Sequence, residues 1–166
     1  MDKWQRKIGW MFFGLISGKY GKGEGLFWEK EWKTITTQSY CEHTVPLVIR
    51  YLYNHPDLSF QQDGGPGHTA KDTLAYMAAW RIIPIYWPAF SPDLSPIETI
   101  WNRMKDILEK LDPKVHRDSK RLRKAVLEAW DTITDAEIRD IIHNKRSGMH
   151  ARCVAVIRNH GYSTEF

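Results

Sequence analysis

Cysteine is scarce in this chain: Cys41 and Cys153 are the only two among 166 residues. Two thiols so far apart offer neither a disulfide framework nor the paired spacing of a zinc site. They read as buried thiols of a protein kept in a reducing compartment. Long apolar runs are missing too. No uninterrupted stretch approaches the roughly 18–20 residues that span a bilayer, so a transmembrane helix is not expected. The glycine-broken segment 8–16 follows charged residues but has no small-residue cleavage site, so neither is a signal peptide. Internal repeats, low-complexity tracts and flexible linkers are also absent.

What remains is an ordinary globular mixture, 42% hydrophobic and 27% charged. The length fits one domain, expected over residues 1–166, which buries roughly 70% of its unfolded surface without a covalent or metal staple. The net charge of +4 leans weakly toward an anionic partner. Its distribution says more. Lys114, Arg117, Lys120, Arg121, Arg123 and Lys124 crowd one short segment against Asp118 alone. Residues 61–98 instead carry Asp63, Asp72, Asp93 and Glu98 against Lys71 and Arg81.

Strand formers at 8–16 and 26–28, separated by a glycine-punctuated turn, predict a hairpin. A helix is expected over 39–52, with Ser39 and Glu42 as its capping box, the stripe Tyr40, Thr44, Leu47, Val48, Tyr51 and Leu52, and a kink or late start at Pro46. A short strand over 58–62 ends at Asp63, and Gly64-Gly65-Pro66-Gly67 forces a turn. Thr69 and Asp72 should cap a helix to about Trp80, and 82–87 reads as an edge strand because of Pro84. Ser95-Pro96-Ile97-Glu98 opens a helix with the stripe Ile97, Ile100, Trp101, Met104, Ile107, Leu108 and Leu111. Helices at 119–133, 134–144 and 149–160 follow, the last stopped by Gly161. Strands alternating with helices, then helices alone, indicate a mixed α/β domain.

Two carboxylates stand out. Asp63 ends a strand before a glycine-rich turn, at the sheet edge where open α/β sheets place their ligands. Glu98 lies off the centre of its helix's apolar stripe and is free to point toward a neighbouring strand end. Hard divalent cations favour such oxygen donors. Simpler accounts fit the spacing as well: Asp before Gly-Gly is a common turn residue, and Glu98 could close a capping box with Ser95.

Longer motifs add a resemblance. Gln61-Gln62-Asp63-Gly64-Gly65-Pro66-Gly67-His68-Thr69-Ala70, then Trp87-Pro88-Ala89-Phe90-Ser91-Pro92-Asp93-Leu94-Ser95-Pro96-Ile97-Glu98, with Trp101-Asn102 and Met104-Lys105 after them, resemble the catalytic domain of mariner-superfamily DNA transposases. The 34 residues between Asp63 and Glu98 match the spacer of one branch of that superfamily. Residues 10–27, 39–52 and 149–164 resemble further family segments.

The resemblance implies an RNase H-like α/β fold, a mixed sheet flanked by helices with a helical C-terminal tail. It implies a DDE endonuclease that cuts and joins DNA in the nucleus, with Mg2+ or Mn2+ held by three acids. Asp63 is then the second acid and Glu98 the third, both catalytic and metal-binding, and His68 beside Asp63 either helps shape the site or serves the turn. DNA is the implied partner, with a homodimer compatible; neither a membrane nor a small-molecule substrate is expected. Lys114, Arg117, Lys120, Arg121, Arg123, Lys124, Lys145, Arg146 and Arg152 are candidates for phosphate contacts. The family's first acid and first, central strand have no counterpart in the sequence, Asp2 being misplaced, and neither has its helix-turn-helix module. The chain is therefore expected to be an N-terminally truncated domain, inactive alone. The alternative is a non-catalytic nucleic-acid-binding remnant.

Overall fold

A computed structural model describes residues 9–88, 90–111 and 114–166. Ile8, Asp2 and Ala89 of the segments named above lie outside the described residues.

The expected hairpin forms as two short antiparallel pairs. Strand β1 (Phe12–Phe13) pairs with β4 (Leu26–Phe27), and β2 (Ile16–Ser17) with β3 (Gly21–Lys22). The turn is tighter than the glycine spacing suggests, because Gly21 and Lys22 belong to a strand. Phe12 faces Phe27 and Phe13 faces Leu26, whereas Ile16 faces Lys22, so the register slips by one residue between the pairs. A bulge of this kind bends the ribbon. Here it lies where an indole is seated: a Cβ on Gly14 would sit 2.6 Å from the Trp130 ring, and one on Gly25 2.7 Å from it. Glycine at both positions lets Trp130 lie against the backbone.

Side-chain alternation along the ribbon divides the core in two. Trp10, Phe12 and Ile16 pack on a cluster containing Ile100, Met104, Leu108, Leu122, Val126, Trp130 and Ile138. Phe13 and Leu15 pack on the other, formed by Tyr40, Val45, Val48, Phe60, Met77 and Ile82. The ribbon is thus a thin layer between two groups of helices.

The first group begins with α1 (Thr37–Ser39), continues through a wider π turn at Tyr40–Thr44, and becomes α2 (Val45–Asn54). The irregularity expected at Pro46 is this π turn. Its cap differs from expectation: Thr36 and Ser39, rather than Ser39 and Glu42, form the reciprocal capping box. Next come a single turn, α3 (Pro66–Thr69), and α4 (Lys71–Ala79). The N-cap of α4 is Ala70, with no side-chain cap, because the Thr69 hydroxyl instead donates to Gly65 O at 3.1 Å.

Residues 58–62 and 82–87, expected as strands, form no ladder; Ile85 N donates to Phe60 O at 2.8 Å. Pro84 has no amide hydrogen to extend the pairing. The sheet is correspondingly smaller than the sequence pattern suggests.

The second group holds α5 (Ile97–Leu111), α6 (Ser119–Thr132), α7 (Asp135–His143) and α8 (Met149–Arg158). The α5 stripe buries Ile100, Met104 and Leu108, while Leu111 at its end is exposed. Asp118 caps α6 through Lys120 N and Arg121 N, and Thr134 with Glu137 forms a capping box on α7. After α8 both His160 and Gly161 are left-handed, so the stop expected at Gly161 is there and begins one residue earlier. Gly161 N returns to Val156 O and His160 N to Ile157 O, a Schellman closure. No described helix is long and apolar enough to cross a membrane.

Candidate active site

The Asp-Gly-Gly turn folds onto Asp63 itself. Its Oδ1 accepts from Gly65 N at 3.1 Å and is hydrogen-bonded to His68 Nδ1. The turn and the site are therefore not competing accounts of this residue. Both bonds use Oδ1, and Oδ2 has no partner among the described residues. The carboxylate remains 73% exposed while the His68 side chain is only 20% exposed. The His68 hydrogen bond holds the Asp63 carboxyl below its ordinary value, assisted by the Gly65 amide and opposed by partial desolvation. Asp63 is thus a charged, outward-facing acid on a fixed support.

That support reaches into the core. The buried Tyr40 hydroxyl donates to Gln62 Oε1 at 2.7 Å, and Gln62 Nε2 donates to His68 O at 3.0 Å. The Tyr40 and His68 rings lie 4.3 Å apart. Burial, reinforced by the Asp63 charge, pushes the Tyr40 phenol well above its usual range and keeps it a donor. Below them Thr73 Oγ1 donates to Gly67 O at 2.6 Å. Gln62 and Tyr40 were read from the sequence as strand and stripe residues; nothing in the spacing pairs them with His68.

Glu98 lies exposed in the first turn of α5. Its carboxylate has no hydrogen bond or ion pair among the described residues, so the Ser95 capping box does not form. Glu98 N instead bonds Ser95 O at 3.2 Å, and Thr99 N bonds Pro96 O at 3.2 Å. No hydrogen bond joins Asp63 to Glu98: Asp63 is braced by His68 and Gly65, while the Glu98 side chain has no such support among the described residues. Among the described residues no three His, Cys, Asp or Glu side chains form a metal-binding group.

The candidate phosphate contacts divide. Arg117, Lys120, Lys145 and Arg146 are exposed, as are Lys114 and Arg121. Arg123 Nε pairs with Glu29 at 2.6 Å, and Lys124 with Glu128 at 3.5 Å, which lowers their availability. Arg152 departs from expectation. It is 6% exposed, and its guanidinium donates to Ser147 O, Asp93 O and Thr99 Oγ1 at 3.1, 2.7 and 3.0 Å. An arginine spent on three internal acceptors is not a surface cation. Asp93, also buried at 7% exposure, accepts from Thr164 N and Oγ1 at 3.0 and 2.9 Å. In the sequence this aspartate is one of the four acids of residues 61–98, with nothing to mark it as buried.

The sequence profile described as "DDE superfamily endonuclease" matches residues 19–123, from the hairpin turn to the start of α6, and so includes both Asp63 and Glu98. This chain belongs to that family. The Tc3 transposase of Caenorhabditis elegans is 31% identical over 151 residues, covering 91% of this chain and 44% of that protein. The Tcb1 transposase of Caenorhabditis briggsae is 33% identical over 108 residues, 64% of this chain and 37% of its own length. The DDE chain thus spans less than half the length of these relatives. Among solved structures, the Mos1 transposase catalytic domain with raltegravir and Mg superposes with a TM-score of 0.76 at 18% identity, over 94% of this chain and 77% of that one. The DDE domain therefore has the RNase H-like α/β fold expected from its sequence, of the mariner/Tc1 type.

Proposed function

We propose that Asp63 and Glu98 supply two of the carboxylates of a divalent-metal site for DNA strand cleavage and transfer. The observation that carries this reading is the state of Asp63: ionised, turned outward, with one oxygen braced by His68 and Gly65 and the other open. Glu98 adds a second unencumbered carboxylate. Both are hard oxygen donors, which suits Mg2+ or Mn2+. Such ions, when bound, activate a water or hydroxyl and stabilise the leaving oxygen of a phosphodiester. The protein's part is to keep Asp63 deprotonated, hold its open oxygen in one direction through the His68–Gln62–Tyr40 chain, and present Glu98 from a helix start. Arg117, Lys120 and their exposed neighbours would hold the DNA backbone. The natural setting is then the nucleus, with a second copy compatible with paired DNA ends.

Among the described residues no group of three His, Cys, Asp or Glu side chains could hold a metal ion, and two carboxylates alone fix one poorly. Cleavage by the isolated chain is expected to be severely reduced. The test is nicking of supercoiled plasmid in Mg2+ or Mn2+ at high protein concentration. Slow nicking that disappears in both Asp63→Asn and Glu98→Gln supports the reading. Nicking that survives both substitutions overturns it. DNA binding that falls steeply with salt, with no nicking at all, favours the alternative of a non-catalytic binding remnant.

A further inference from the structure

Arg152 is the most heavily used buried charge among the described residues. Removing a guanidinium from water costs several kcal/mol unless hydrogen bonds replace hydration, and apolar residues of similar volume often stabilise as well or better. Its value is therefore sought in geometry. Its three acceptors belong to three separate pieces of chain: Ser147 before α8, Asp93 in the proline-bounded turn Pro92–Leu94, and Thr99 in the first turn of α5. Thr99 is the residue after Glu98. The Asp93 carboxylate is in turn held by both the amide and the hydroxyl of Thr164, and the Phe166 ring lies 5.1 Å from the Arg152 guanidinium carbon. The segment after α8 thus closes over the same knot. The α5 start otherwise has the 3.2 Å backbone bonds Glu98 N to Ser95 O and Thr99 N to Pro96 O, and no cap from the Glu98 side chain.

We propose that Arg152, with Asp93 and Thr164, is a positioning device that fixes the α5 start and thereby the direction of Glu98. This rests on the metal-ligand reading of Glu98 and assigns α8 and the segment after it a role in that site. Ligand geometry has to be held within roughly 0.5 Å for a working site, and a planar five-donor fork tied to three backbone regions provides such a hold.

The test severs the knot at the α5 end alone. Thr99→Val keeps the shape and removes the hydroxyl acceptor, while Thr99→Ser restores it. Amide hydrogen exchange, measured without metal, is expected to quicken about tenfold over residues 97–101 in Thr99→Val. Exchange in α6 and α7 should stay unchanged, and Thr99→Ser should match the parent. Mn2+ affinity, followed by electron paramagnetic resonance, should weaken by about tenfold in Thr99→Val and recover in Thr99→Ser. Unaltered exchange at the α5 start overturns the proposal. So does faster exchange accompanied by unchanged Mn2+ affinity in a chain whose Glu98→Gln variant has lost that affinity. If Glu98→Gln binds Mn2+ as the parent does, the metal reading of Glu98 has failed, and the exchange measurement alone decides whether Arg152 holds the helix start.

Discussion

His68 Nδ1 meets Asp63 at Oδ1, leaving Oδ2 of the same carboxylate open. The histidine is anchored through its backbone carbonyl and its ring, so this contact ties an exposed acid to a buried scaffold.

Replacing His68 with Phe should raise the Asp63 pKa toward the ordinary value near about 4, because the largest lowering influence is removed. The sign for stability follows. A depressed carboxyl contributes stability that is present above about pH 4 and is lost as pH falls through its lowered folded value. The parent chain should therefore resist acid slightly further than the variant, by a small margin because Asp63 is mostly exposed. Carbon-13 NMR titration of the Asp63 carboxyl checks it; an unmoved titration would assign the depression to the Gly65 amide instead.

Tyr40→Phe should destabilise the fold by about 1 kcal/mol, since the half-buried Gln62 Oε1 loses its donor. If Gln62 then rotates, His68 loosens and the Asp63 pKa rises as well. Thermal melts and the same titration separate the two effects.

Among the cations, Lys120→Glu and Arg117→Glu should weaken DNA binding and shrink its salt dependence by about one counterion per lost phosphate contact. Arg123→Ala should do less, because Glu29 already engages it. Arg152→Gln should lower the melting temperature and leave the salt slope unchanged, because its guanidinium is inside. Fluorescence anisotropy across a salt series distinguishes these cases, and an equal loss of slope in Arg152→Gln would contradict the structural assignment.

Trp130→Ala should cost about 3–5 kcal/mol in denaturant unfolding, as expected for a large buried ring. Trp130 lies between the glycines of the ribbon and the α5–α6 core, and its Nε1 donates to Gly23 O at 3.2 Å. A loss below about 1 kcal/mol would mean that the ribbon is not held by this contact.

Amino-acid order alone determined most of the helical half. The stripe of α5 and the bounds expected for the helices after it rest on interactions over one or two turns, and local interactions of that range survive in any packing. Asp63 and Glu98 were legible for a similar reason: both sit at punctuation, a glycine turn and a proline-marked helix start. Tertiary structure alone decided the rest. Pattern gave an irregularity at Pro46 but not its π form, nor the small sheet, because strand pairing and the form of a helix irregularity depend on distant partners. Asp93 looked like one more acid of the central stretch and Arg152 like one more surface cation until α8 brought them together across 59 residues. Charge is written in the sequence, but burial is a property of the assembled chain, and only burial separates an arginine that grips DNA from one that holds a helix in place.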